Sequence, residues 1–325
     1  MSRKALIFGV SGQDGALLSR LLADMDYEIH GSSRDAQVAA LGNLDRVGVR
    51  DRVNLHSAVT TDFRSVLQVL SKVAPDEVYL LAGQSSVGLS FEQPVETLES
   101  IALGTLNLLE AIRFLGLPAR LYNAGSGECF GELSAPATEE TAFRPRSPYA
   151  VAKASAHWTV SNYREAYGLY ACTGILFNHE SPLRPARFVT RKVVTAAARI
   201  AGGSDERLKL GNLDVERDWG WAPEYVRAMW LMLQQPKPDD YIIATGKAHS
   251  LREFVEIAFE EVGLDWRAHV DIDDSLRRPT DIAHSIGSPA KASRVLHWQA
   301  QHGMRDAIRF MIAAEQGEPW PMVAG

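Results

Sequence analysis

Apolar positions along the first half of the chain alternate between two rhythms. "KALIFG" is a short unbroken apolar run rich in branched residues, the pattern of a strand buried on both faces, and "ALLSRLLADM" follows with apolar residues at helical spacing. "YEIHGS" reads as a second strand, "FRSVLQVLSKV" as an amphipathic helix and "EVYLLAG" as another buried strand. The run "VETLESIALGTLNLLEAIRFLG" predicts one long helix ended by Gly116, and "ARLYNAG" a strand. "SPYAVAKASAHWTVSNYREAYG" predicts a helix opened by Ser147 and Pro148 and stopped by Gly168, ahead of the strand "LYACTGILF". Strands separated by helices need right-handed crossovers, so the pattern predicts an α/β fold with a doubly wound parallel sheet.

After about Asn178 the rhythm changes. Residues 178–218 are richer in arginine and loop formers, and later helices such as "SLREFVEIAFEEVG" lack a regular strand partner. With 325 residues, 46% of them hydrophobic, two domains are expected: residues 1–177, then a smaller α/β domain over 178–325. The C-terminal "EQGEPWPMVAG" predicts a loose tail. The net charge of −6 comes from 34 basic and 40 acidic residues without a basic block, which argues against an extended nucleic-acid or anionic-lipid surface. Two cysteines, Cys129 and Cys172, are too few for a disulfide framework or a thiolate metal site and are expected as small buried residues. The N-terminus has no signal-peptide pattern, and no run approaches the roughly 18 apolar residues of a membrane span. The cytoplasm is the expected location.

Four short stretches carry candidate chemistry. "GVSGQDG" joins the first strand to the first helix, and its Gly9-x-x-Gly12-x-x-Gly15 spacing lets a backbone turn tightly and an anion approach the helix N-terminus. It differs from the G-x-G-x-x-G dinucleotide fingerprint, and a structural turn is an equal reading of it alone. At the end of the second strand, "HGSSRDA" places Arg34 where a 2′-phosphate would lie, which favours NADP while leaving NAD open; Asp35 beside it offers an alternative ion pair. "SPYAVAK" sets Tyr149 and Lys153 four apart on one helix face, where an ammonium would stabilise a phenolate base. Finally, "NAGSGECFGE" puts the carboxylate of Glu128 among small residues at the carboxyl end of a strand, where open α/β sheets hold ligands.

Together the glycine turn, Ser126 after a later strand and Tyr149-x-x-x-Lys153 on the next helix resemble the extended short-chain dehydrogenase/reductase superfamily, with its Rossmann-type sheet. Within it, "GVSGQDG", "PRSPYAVAK", "GILFNHESPLR", "FVTRK", "LGNLDVERDWG", "YVRAMWLMLQ", "ATGKAHSLREFVE" and "RRPTDI" are similar to the GDP-mannose 4,6-dehydratases over nearly the whole chain. The resemblance implies catalytic roles for Ser126, Glu128, Tyr149 and Lys153. Tyr149 would be the base at sugar C4, and Glu128 would take the C5 proton and deliver one to the departing C6 hydroxyl, in a site dry enough to raise its pKa. Ser126 would bond O4, and Lys153 would hold the cofactor ribose and lower the pKa of Tyr149.

For the cofactor, the resemblance implies Gly9, Ser11, Gly12, Gln13, Asp14, Gly15, Arg34, Leu81, Ala82, Gly83, Gln84, Ser85, Tyr149, Lys153, His179 and Arg184. For the GDP-sugar it implies Asn178, Lys192, Arg217 and Arg278. It also implies that residues of about 222–247 return to the first domain, and that no metal is needed. Several positions depart from the family. Ser126-Gly127 replace its threonine-serine, Ser57-Ala58 its glycine-aspartate, Leu80 an asparagine and Pro185 a glycine, and a valine-aspartate step is lost at Ile282-Ala283. The loop "SSRDAQVAA" is shorter than the one that crosses between subunits in tetrameric members, so a dimer through the long helices is expected rather than a tetramer. Alternatives are dehydration of another GDP-sugar such as a GDP-manno-heptose, a GDP-sugar epimerase or reductase, or a non-catalytic nucleotide-binding protein.

Overall fold

The computed structural model describes residues 2–276 and 279–322. Its first strands are β1 (Lys4–Phe8), β2 (Glu28–Ser33), β3 (Val53–Ser57), β4 (Glu77–Leu80), β5 (Arg120–Ala124) and β6 (Ala171–Leu176). They are followed by β7 (Asn178–Glu180), β8 (Leu208–Leu210), β9 (Glu216–Trp221), β10 (Tyr241–Ile243), β11 (Ala248–Ser250), β12 (Val270–Ile272) and β13 (His284–Ser285). Seven of them form one sheet in the order β3-β2-β1-β4-β5-β6-β10, parallel throughout. The order reverses between β1 and β4, and a parallel doubly wound sheet binds its ligands at such a reversal.

Both faces of this sheet are covered, which is why its central strands are apolar without alternation. The helix α1 (Gln13–Asp24) and the helix Ala222–Gln234 pack together on one face, while Phe63–Val73, Gly104–Leu115 and Pro148–Tyr167 cover the other. Another core joins the helices Val189–Ala201, Leu251–Glu260 and Met304–Glu315 around Trp219 and Trp221. Its sheet is centred on β9, which pairs with β7 and β13 in parallel and with β11 antiparallel. Among the described residues no helix is long and apolar enough to cross a membrane.

Local signals act as the sequence predicts. Ser147 caps the helix Pro148–Tyr167 by accepting from the Ala150 N–H, and Gly168 ends it in the left-handed conformation at φ 67°. Gly9 (φ +88°) lies so close to the end of β4 that a Cβ there would stand 2.8 Å from the Ala82 nitrogen. A Cβ on Gly15 would stand 2.3 Å from the Gly9 carbonyl oxygen, so α1 can start against the turn only because that side chain is missing.

Two expectations are corrected. The long helix predicted up to Gly116 is interrupted by a wide π turn at Glu99–Leu103, whose Ser100 hydroxyl accepts from the Gln84 N–H at 3.2 Å. The turn thereby fixes the loop after β4. The predicted loose tail is also partly ordered: Trp320 packs edge-on to Trp221 at 5.8 Å, and the Trp221 indole N–H donates to the Pro321 carbonyl. Apolar contact holds that segment despite its lack of regular structure.

Candidate active site

Glu128 follows the carboxyl end of β5. The strand stops at Ala124, and Ser126 caps a short 3₁₀ turn, Gly127–Phe130, by accepting from the Glu128 N–H at 3.2 Å. That turn places Glu128 on the wall of a cavity of about 470 Å³, which Ser126, Tyr149 and Lys153 also line. The Glu128 side chain is 17% exposed. At Gly127 any side chain would press on the Phe177 ring, 3.0 Å from an added Cβ, so a smaller residue here than the family's serine suits the packing.

Tyr149 and Lys153 share one face of the helix Pro148–Tyr167. Burial pushes Tyr149 well above its usual pKa, with the Ser126 hydrogen bond opposing. Lys153 is itself pulled down to about 8 by burial. Its Nζ donates to the Ala124 carbonyl at 2.7 Å and lies 5.7 Å from the centre of the Tyr149 ring. Both groups are desolvated, and the ammonium is directed at a backbone oxygen. Cys129, beneath them, is buried and pushed up to about 12, and Cys172 likewise, as the expected small buried residues.

The opposite wall is held by ion pairs. Arg217, buried in β9, gives Nη1 to the carbonyls of Ile282 and Glu216 at 2.7 and 2.9 Å and Nη2 to Asp281 at 3.1 Å, while its Nε faces Glu128 at 3.9 Å. Arg184 pairs with the buried Glu180 at 3.3 Å and lies over the Phe188 ring at 3.9 Å. Lys192 donates to the Lys209 carbonyl at 2.7 Å. Asn178, Arg184, Lys192 and Arg217 line the same cavity, whereas Arg278 falls outside the described residues.

Toward β1, α1 begins at Gly12 with no side-chain cap, and Gly12 itself is exposed, so its first N–H groups remain available to an anion. Asp14 lines the cavity from that first turn. Burial works to raise its pKa, but the charge and hydrogen bond of His179 bring it to about 2. Leu81 and Ser85 line the cavity too, while Gln84 is fastened by Nε2 to the Ser86 carbonyl and the Thr97 hydroxyl. Gly9, Ser11, Gln13, Gly15, Ala82 and Gly83 build the turns behind this wall. Arg34 is apart from the cavity, exposed just beyond β2 and without a hydrogen bond or ion pair among the described residues. Asp35 instead accepts from the Gln37 N–H, and Ser57 from the Ala36 N–H.

Sequence reasoning missed Asp281, Arg187 and Phe188. Asp281 lines the cavity and pairs with Arg217, 64 residues away, a contact that no local pattern signals. Arg187 reaches the Ser85 hydroxyl at 3.3 Å from a segment that the arginine-rich stretch could have flagged.

Comparison with known proteins settles the lineage. The family model for GDP-mannose 4,6 dehydratase matches residues 6–311. The chain belongs to that family. GDP-mannose 4,6 dehydratase 1 of Arabidopsis thaliana is 45% identical over 318 residues, covering 95% of this chain and 88% of the relative. Among solved structures, a Thermus thermophilus UDP-glucose 4-epimerase in complex with NAD matches with a TM-score of 0.85 at 26% identity, covering 97% of this chain and 99% of that one. RMD from Pseudomonas aeruginosa, complexed with NADPH, shares the fold with a TM-score of 0.80 at 24% identity and 98% coverage of both chains. Family members and structural neighbours thus share a nicotinamide-nucleotide fold, with different nucleotides bound in the neighbours.

Proposed function

We propose that this chain converts GDP-mannose to GDP-4-keto-6-deoxy-mannose with NADP as its resident cofactor. The observation that carries the reading is the placement of Glu128 in one cavity with Ser126, Tyr149 and Lys153, its carboxylate accepting no hydrogen bond from the described residues. The uncapped start of α1 and the glycine turn suit a pyrophosphate. Arg34, exposed and unpaired, supports a 2′-phosphate and hence NADP over NAD.

NADP, held by the glycine turn and Lys153, would supply hydride acceptance from sugar C4 and hydride return at C6, so no external reductant would be consumed. Tyr149, ionised in the loaded site, takes the proton of the C4 hydroxyl as the ketone forms and gives it up at C5 when the hydride is returned. The ketone acidifies C5–H. Glu128 takes that proton as a carboxylate and passes a proton to the C6 oxygen, which leaves as water. Lys153 holds the ribose, and Asn178, Lys192 and Arg217 the GDP-sugar, with Arg278 a further candidate. We read residues 1–177, joined by about 222–247, as the cofactor domain and the remainder as mainly the sugar-nucleotide domain. Exposed apolar side chains on the long helices, Leu106, Phe114, Val151, Trp158 and Tyr167 among them, support a homodimer through that face.

The test is incubation with GDP-mannose, without added reduced cofactor, followed by mass spectrometry. Loss of one water is expected, and Glu128→Gln should bind NADPH yet stop the elimination. An unchanged mass with nucleotide bound would overturn the hexose assignment and point to a longer GDP-sugar.

A further inference from the structure

Asp14 and His179 are 165 residues apart in sequence, and neither takes part in the elimination. The His179 Nε2 stands 3.0 Å from Asp14 Oδ2, and its Nδ1 2.8 Å from the Phe177 carbonyl oxygen. A carbonyl and an ionised carboxylate can only accept, so both ring nitrogens must donate; a neutral imidazole would aim a lone pair at one of the oxygens. The geometry therefore requires an imidazolium. Its ring is stacked on Tyr225 at 4.7 Å and 19°. Gln13 completes the clamp, donating from Nε2 to Asp14 Oδ1 and to the His179 carbonyl and accepting from the Ser181 hydroxyl at 2.9 Å.

Asp14 lies in the first turn of α1, the place where the cofactor pyrophosphate is to bind. An uncompensated carboxylate there would repel it. We propose that His179 is a positioning residue: its protonated ring cancels the charge of Asp14 and ties the glycine turn to the segment after β6, so that nicotinamide-nucleotide affinity follows the His179 proton. The proposal rests on the cofactor reading above.

The groups around the pair set the sign of the pH dependence. Burial opposes the His179 cation, and so does the Arg184 charge, which is paired with Glu180; the Asp14 charge and hydrogen bond and the Phe177 carbonyl outweigh both, so the ring's pKa is raised. The phenols of Tyr225 and Tyr122 are pushed far up by burial and stay neutral. Lys153 also feels Asp14 and titrates near 8. Below the His179 pKa the pair is neutral; as pH rises through it, Asp14 is left alone and affinity falls.

The test is NADPH binding to the full chain, followed by fluorescence from about pH 6 to 10. Wild type should lose affinity about 10-fold beyond the slope due to Lys153, a typical coupling between linked sites. His179→Gln should bind about 10-fold more weakly at low pH and lose this slope. Asp14→Asn should lose it as well, and the double variant should recover most of what His179→Gln loses. Because Lys153 feels Asp14, its slope is shared only by proteins with the same residue at position 14, so wild type is read against His179→Gln and Asp14→Asn against the double variant. The same pH profile in wild type and His179→Gln, or no recovery in the double variant, overturns the proposal. If His179→Gln fails to fold, the ring signals of His179 in wild-type chain, read by NMR, decide: a ring that loses its proton below about pH 7 overturns it. Failure of wild type to bind NADPH at any pH would sink the cofactor reading instead, and the ring signals still decide the pair.

Discussion

The two walls of the cavity hold their polar groups in opposite ways. On the sheet side, Tyr149 and Lys153 are shifted by burial, one upward and the other down to about 8, and neither has a carboxylate partner. On the β9 side, Arg217 and Arg184 are paired with Asp281 and Glu180, and Arg217 also donates to the Ile282 carbonyl. Desolvation favours the neutral form of both groups, whereas pairing fixes geometry, which suits holding an anionic substrate. Glu128 stands between them, on the sheet side by its backbone and facing Arg217 with its carboxylate. The group proposed to take a proton and give one up is thus placed where the two walls meet.

Substitutions can break that division. The largest effect is expected for Tyr149→Phe: turnover should fall by about 10³-fold with NADPH affinity retained, and a loss below about tenfold would remove the phenol from the chemistry. Arg217→Met should act on both stability and substrate affinity. Removing the Arg217 hydrogen bonds to Asp281 and the Ile282 carbonyl should cost about 3 kcal/mol in denaturant unfolding, and an unchanged midpoint would deny that pairing organises this wall.

Lys153→Met tests the burial side through pH. The folded pKa of about 8 lies below the usual 10.5, so the unfolded chain binds the extra proton between these values, and wild-type stability should gain from this residue as pH rises from 8 to 10.5. The variant should lack that gain in thermal melts; an identical rise in both proteins would refute the burial shift. Arg34→Ala, outside both walls, should weaken NADPH about tenfold with little change for NADH, and equal losses for the two nucleotides would return the choice of cofactor to NAD. Smallest, Trp320→Ala should destabilise by about 1 kcal/mol without altering turnover, as expected for a packed terminal side chain; no shift in Tm would restore the loose tail.

Much of this protein was legible in its sequence because the determinants are local. The alternation of apolar runs specified the parallel sheet, and Ser147, Pro148 and Gly168 marked the ends of the helix that carries Tyr149 and Lys153. Gly9, Gly12 and Gly15 marked the turn into α1. These are properties of a few neighbouring residues, whose backbone preferences and spacing survive any tertiary context.

What the fold alone decided is where the charges point. Lys153 donates to the Ala124 carbonyl, 29 residues away, a partner that its spacing from Tyr149 does not reveal. Arg217 meets Glu128 and Asp281 only once β9 and the segment before β13 are assembled. The proton on His179 likewise depends on Asp14, brought to it by the packing of α1 beside β7. Spacing along a chain sets which face a side chain occupies, whereas its charge state depends on the dielectric and partners supplied by distant segments, and those exist only in the folded molecule.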